Sequence, residues 1–182
     1  MNMKTSVYKL TTIALITAVL CVLAPLSVPI GPVPVSLATF VIYLFVYIFG
    51  TWMSTAGVAV YLLIGLVGIP VFSGYTAGVA KLAGPTGGFL VGYLLVTIVG
   101  GLILDRIKRN VLMGVIAFFV STILLYALGT VWYIVLLGGT IAEALMICVV
   151  PFIVVDIIKM AAAAAVGEVV RKMLVRAEVV AV

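Results

Sequence analysis

Val111-Leu-Met-Gly-Val-Ile-Ala-Phe-Phe-Val-Ser-Thr-Ile-Leu-Leu-Tyr-Ala-Leu128 contains no charged residue and no proline. A run of this kind approaches the roughly 20 apolar residues that carry a helix through about 30 Å of hydrocarbon. Working outward, comparable runs occupy 8–24, 37–49, 54–67, 87–104 and 150–170, which predicts an all-α integral membrane protein, a bundle of six transmembrane helices. Composition agrees, with 66% hydrophobic and 8% charged residues, against roughly 45–50% apolar and about 25% charged in soluble domains. No water-facing surface can be assembled from it, and spans with their connections use all 182 residues as a single transmembrane domain, 1–182. The runs 37–49 and 54–67 are short, so each is expected to tilt or to thin the bilayer locally. A re-entrant pair is the alternative.

The breaks between runs carry as much information. Pro25 to Ser36 is too rich in proline for a helix and is expected as a loop folded against the bundle. Gly68 to Gly84 is similarly broken. Gly129 to Thr140 is expected to separate the last two spans, with a short helix at Ile141 to Cys148, and Pro151 suits the first turn of the final helix. Basic residues near span ends are retained in the cytoplasm. Six spans with both termini cytoplasmic put Lys4, Lys9, Arg106, Lys108, Arg109, Arg171, Lys172 and Arg176 on that side, with Lys81 outside and Lys159 within a span. The expected location is the cell membrane, multi-pass. The proline- and glycine-rich connections then cover the extracellular end, where irregular backbone is tolerated if it is buried in protein or lines a cavity.

This topology accounts for the net charge of +5 better than nucleic-acid binding does, because the basic residues sit at helix ends rather than on one face. Lys4 and Lys9 before an apolar run resemble a signal peptide. Leu20 is too large to precede a lipoprotein cysteine at Cys21, and the first helix is expected to be retained. Cys21 and Cys148, both in apolar runs, read as small buried hydrophobes.

Asp156 and Lys159 stand on one face of a helix in Phe152-Ile-Val-Val-Asp-Ile-Ile-Lys-Met160. Each carries a cost of roughly 2.5–3.5 kcal/mol at a helix centre in lipid, so the pair must face protein. Either it neutralises itself against another helix or it forms the polar floor of a solute pocket. Glu143 precedes it and faces the cavity, caps the short helix or sits at the membrane interface. Gly88 and Gly92 give the spacing that lets membrane helices approach closely, while Gly84, Pro85, Thr86 and Gly87 make a tight turn whose backbone N–H groups can meet a ligand. Ala14 and Ala18 form a small-xxx-small face on the first helix, suited to docking another helix.

The chain lacks histidine, a G-x-x-x-x-G-K-[ST] loop, H-E-x-x-H and G-x-S-x-G, and it has no acidic cluster for a metal ion. It is therefore expected to be neither an ATPase nor an enzyme, and to hold no metal and no cofactor of its own.

Gly31-Pro-Val-Pro-Val-Ser-Leu, Gly65-Leu-Val-Gly-Ile-Pro-Val-Phe72, Leu82-Ala-Gly-Pro-Thr-Gly-Gly-Phe-Leu and Pro151-Phe-Ile-Val-Val-Asp-Ile-Ile-Lys together resemble the BioY family, the biotin-specific S components of energy-coupling-factor (ECF) transporters. The likeness covers nearly the whole chain, with departures at Ala38 and across Gly74 to Gly78. It implies a six-helix subunit that captures biotin from outside for a transmembrane coupling subunit and two ATPase subunits, which bind the ATP. It also implies that Ala14 and Ala18 meet the coupling subunit. Within a biotin site, Asp156 is expected to accept from ureido N–H, and Lys159 to donate to the ureido oxygen or pair with Asp156. Phe40, Phe72, Tyr75 and Val33 are expected to supply apolar surface, with Lys81 or the backbone around Gly84 and Thr86 meeting the carboxylate. An S component for another vitamin and a membrane-embedded enzyme acting on lipid substrates are the competing readings.

Overall fold

A computed structural model describes residues 3–30, 32–107 and 109–178, with side chains from Val7 onward. Lys108 of the charge count and Gly31 of the first loop motif lie outside the described residues, as does the side chain of Lys4. Helix α1 (Met3–Leu23) leads to two short antiparallel strands, β1 (Ser27–Val28) and β2 (Val35–Ser36), paired Ser27 to Ser36 and Val28 to Val35. Helix α2 (Ala38–Val67) is followed by the short α3 (Val79–Ala83). The remaining helices are α4 (Gly87–Arg106), α5 (Val111–Leu137), α6 (Ile141–Cys148) and α7 (Val150–Arg176). Among the described residues, helices α2, α4, α5 and α7 are long and apolar enough to cross a membrane, and Val7–Leu23 is a shorter apolar helix.

The two runs expected at 37–49 and 54–67 meet with one interruption. Gly50 has φ 77° and ψ −167°, a region essentially reserved for glycine. Its neighbours Tyr47 and Ile48 give their carbonyls to Arg109 and Arg171, and the Thr51 N–H donates to Asp105. Both halves of α2 lead away from this end. Thr39 reaches the far end beside Lys159, and the Gly65 carbonyl there accepts from the Gly78 N–H. The chain therefore reverses at Gly50, and no separate loop at 50–53 is needed.

Helix α5 corrects the expected end at Leu128. It continues to Leu137 because Gly129 is not a break but a contact: a Cβ there would lie 2.4 Å from Cζ of Phe89. The same α4–α5 seam places Gly88 against Trp132 and Gly92 against Leu125, the close approach expected of small residues in a membrane bundle. The loop before α6 shrinks to residues 138–140. Thr140 caps α6 with Glu143 in a reciprocal capping box, and Pro151 falls in the first turn of α7 as expected.

Helix α1 lies on the second half of α2. Ile16 fits over Gly57, and Thr17 Oγ1 donates to the Gly57 carbonyl at 3.0 Å. Deeper in the bundle Tyr43 stacks on Phe118 with ring centroids 4.9 Å apart, its hydroxyl 2.6 Å from Thr122 Oγ1. Tyr47 occupies a slot between Gly114 and Gly167, joining α2, α5 and α7. In lipid such packing and internal hydrogen bonds, rather than removal from water, hold helices together. The outward apolar side chains, among them Leu10, Val22, Phe119, Val135 and Ile158, are exposed, as lipid contact requires.

Candidate substrate site

Asp156 and Lys159 project from α7 toward the start of α2, and both are buried, at 4% and 9% exposure. The Lys159 ammonium donates to Asp156 Oδ1 at 3.1 Å, to Thr39 Oγ1 at 3.0 Å and to the Ser36 carbonyl at 2.8 Å. Those bonds use all three of its N–H donors. The second carboxylate oxygen of Asp156 accepts from the Tyr126 hydroxyl at 2.7 Å. Each charge is thus paired and hydrogen-bonded, the condition under which buried ions are tolerated.

Over this network lies a cavity of about 40 Å³. Val33, Pro34 and Val35 of the β1–β2 hairpin roof it, and Phe89, Tyr93, Leu125, Tyr126 and Phe152 wall it. Polar hydrogen-bonding groups thus converge at one end of an otherwise apolar and aromatic chamber. Such a chamber suits a flat, hydrogen-bonding head with an apolar body. Because the Ser36 carbonyl at the base of the hairpin is one of the three Lys159 acceptors, roof and floor share a hydrogen bond.

Of the residues singled out in the sequence, Asp156, Lys159 and Val33 meet in this cavity, and the others sit elsewhere. Phe40 is partly buried against the core, and Phe72 is fully buried, set edge-on to Tyr61 and over Gly65. Tyr75 is 64% exposed at φ 57°. Lys81 lies on α3, where burial pushes its amine below the usual range. The Gly84 carbonyl accepts from Trp132 Nε1 at 3.0 Å. Thr86 is buried just before the first turn of α4, its hydroxyl without a hydrogen-bond partner among the described residues. Glu143 is held on α6 by the Thr140 N–H at 2.9 Å, and hydrogen bonding with Thr140 keeps its carboxyl below the usual range. Ala14 and Ala18 face outward on α1, away from α2.

Residues 1–176 match the sequence profile of the BioY family. The chain belongs to the BioY family. Biotin transporter BioY2 of Lactococcus lactis subsp. cremoris (strain MG1363) is 39% identical over 155 residues, 85% of each chain. Biotin transporter BioY of Thermotoga maritima is 36% identical over 148 residues, covering 81% of this chain and 86% of that one. A crystal structure of the S-component for biotin from an ECF-type ABC transporter matches the fold with a TM-score of 0.87 at 27% identity, over 94% of this chain and 95% of the other. With its apolar helices, this BioY-family chain is a multi-pass membrane protein.

Sequence reasoning missed most of the wall: Ser36, Thr39, Phe89, Tyr93, Leu125, Tyr126 and Phe152. Tyr93 and Tyr126 carried a usable signal, being polar-tipped residues inside apolar runs. The remaining positions are indistinguishable in sequence from ordinary lipid-facing or core residues.

Proposed function

We propose that this BioY-family chain is the substrate-binding S component of an ECF-type transporter and that its Asp156/Lys159 cavity captures biotin. The observation that carries the reading is the fully hydrogen-bonded ion pair beneath an aromatic chamber, in a chain whose relatives are named biotin transporters. Asp156 is suited to accept from the ureido N–H groups and Lys159 to donate to the ureido oxygen, while Phe89, Tyr93 and Phe152 contact the bicycle. The cavity of about 40 Å³ is far below the roughly 300–1,000 Å³ of small-molecule pockets, so the hairpin must lift to admit the ligand. A ureido oxygen at Lys159 would displace the Ser36 carbonyl and release that hairpin.

In this reading the chain crosses the cell membrane six times, α2 contributing a crossing on each side of Gly50, with both termini cytoplasmic. The Arg109 and Arg171 end then lies in the cytoplasm. The hairpin, α3 and α6 cover the outside. Titrating the purified protein with biotin, thiamine and riboflavin tests the ligand. Binding of biotin alone is expected, and tighter binding of either other vitamin would overturn the assignment.

Uptake against a gradient requires partners, a transmembrane coupling subunit and two ATPases. The outward Ala14/Ala18 face of α1 offers the close approach a coupling helix needs. Enlarging both residues to leucine is expected to weaken association with the coupling subunit by about tenfold or more through overpacking, with biotin affinity of the isolated chain unchanged. Copurification with that subunit is the measurement, and undiminished recovery of the complex would move the docking face elsewhere.

A further inference from the structure

The end of the bundle opposite the Asp156/Lys159 cavity opens into a larger groove of about 720 Å³ between the ends of α4 and α7. Among the described residues its lining carries four cations, Arg109, Arg171, Lys172 and Arg176, against two carboxylates, Asp105 and Glu168, which pair with Arg109 and Lys172 and leave a surplus of two positive charges. Arg109 Nη1 donates to the Tyr47 carbonyl at 2.8 Å and Arg171 Nη1 to the Ile48 carbonyl at 2.6 Å. These bonds cap the helix that stops at Gly50, and they also fix both guanidinium groups at the groove. Lys172 and Arg176 follow one turn apart on α7.

A second groove, of about 340 Å³, adjoins the first at their common residue Ile107. Val99, Leu102 and Ile103 line it, with Arg106 as its one charged member among the described residues. Val99 lies in the π-helical turn Val96–Gly100 of α4, a distortion that recurs at functional sites. One groove is basic, the other apolar, and both lie where membrane-crossing helices end.

We propose that the two grooves together hold one anionic phospholipid, its phosphate among Arg109, Arg171, Lys172 and Arg176 and an acyl chain along Val99, Leu102 and Ile107. Basic pockets between transmembrane helices are suited to anionic headgroups. Free phosphate would use the basic groove alone. An acidic segment of a cytoplasmic protein would leave the apolar groove unmatched, so the amphiphile fits both observations. The assignment does not depend on which ligand the opposite cavity takes.

Native mass spectrometry of the full chain in a neutral detergent tests it, with dioleoyl phosphatidylglycerol and dioleoyl phosphatidylcholine as probes and inorganic phosphate as competitor. The wild-type chain is expected to retain phosphatidylglycerol about tenfold better than phosphatidylcholine, with excess phosphate failing to displace it. Lys172→Ala with Arg176→Ala should bring the two lipids to equal retention, whereas Leu102→Trp, which fills the apolar groove, should weaken both. Equal retention by the wild-type chain would overturn the proposal without recourse to any variant. Ready displacement by inorganic phosphate would assign a phosphate site instead. Loss of partner association in the double variant without any lipid preference in the wild-type chain would assign an acidic protein segment.

Discussion

Replacing Asp156 and Lys159 together by leucine is expected to leave a folded protein that binds biotin more weakly by about a hundredfold or more. The two side chains are buried and paired at 3.1 Å, and exchanging a buried ion pair for well-packed apolar groups is often neutral or stabilising by about 1–4 kcal/mol. The ligand bonds proposed for them are a different matter. Hydrogen bonds to charged groups contribute roughly 1.5–3 kcal/mol each, and every 1.4 kcal/mol is about a factor of ten in affinity. Losing two such interactions predicts a fall of about a hundredfold or more.

The single variants separate the parts. Asp156→Asn keeps the shape but leaves Lys159 without its counter-ion, and Lys159→Ala strands a buried carboxylate. Breaking one side of such a pair costs about 3–5 kcal/mol, so both singles should melt earlier than the double variant. Thermal melting together with biotin titration reads the two effects separately. A double-leucine chain that binds biotin with unchanged affinity would reduce the pair to mutual neutralisation and leave the cavity without a polar floor.

Gly50→Ala should destabilise the chain more than alanine at any other described glycine of positive φ. The residue sits at φ 77°, and forcing a side chain into such a conformation costs about 1–3 kcal/mol. Space is lacking as well: the added Cβ would stand 2.7 Å from Asp105 Oδ1 and 3.1 Å from Arg109 Nη2. Asp105 cannot simply withdraw. It pairs with Arg109 and accepts from the Thr51 hydroxyl at 2.6 Å and the Thr51 N–H at 3.2 Å, which ties α4 to the turn in α2. A melting temperature lower by about 2–4 °C per kcal/mol is expected for a chain of this size. Gly68→Ala is the comparison, because Gly68 also has a positive φ, 110°, with nothing within 4 Å of the added Cβ. If both variants melt alike, the contacts at Gly50 contribute nothing beyond its backbone conformation.

The membrane character of the chain was legible in composition alone. The proline, glycine and charge breaks placed most helix starts within a residue or so: Gly87, Val111 and Val150 begin helices where the apolar runs begin. The misjudged end at Leu128 shows the limit. A glycine in sequence is equally a breaker or a site of close packing, and only the Phe89 ring lying across Gly129 decides which. Gly50 presents the converse case. The gap between the runs 37–49 and 54–67 already implied a reversal there, but nothing in Phe49-Gly-Thr51 shows what holds it. Asp105, Arg109 and Arg171, all distant in sequence, stabilise it.

The same division runs through the candidate substrate site. Asp156 and Lys159 stood out because a charge within an apolar run is costly wherever it occurs, so the local sequence alone marks it. That spacing also settled that the two share a face. Their partners were decided by tertiary structure. Ser36, Thr39 and Tyr126 are separated from the pair by long stretches of chain; Ser36 and Thr39 carry no penalty that would single them out, and the Tyr126 hydroxyl gives only a weak mark. Phe72 and Tyr75, attractive by residue type, went to the core and to the surface, while Phe89, Tyr93 and Phe152 became the walls. The sequence by itself determined that a charged pair must be sheltered from lipid. Which groups shelter it depends on how α2, α4, α5 and α7 pack, because direction and depth in a bundle are set by contacts between helices that no local pattern encodes.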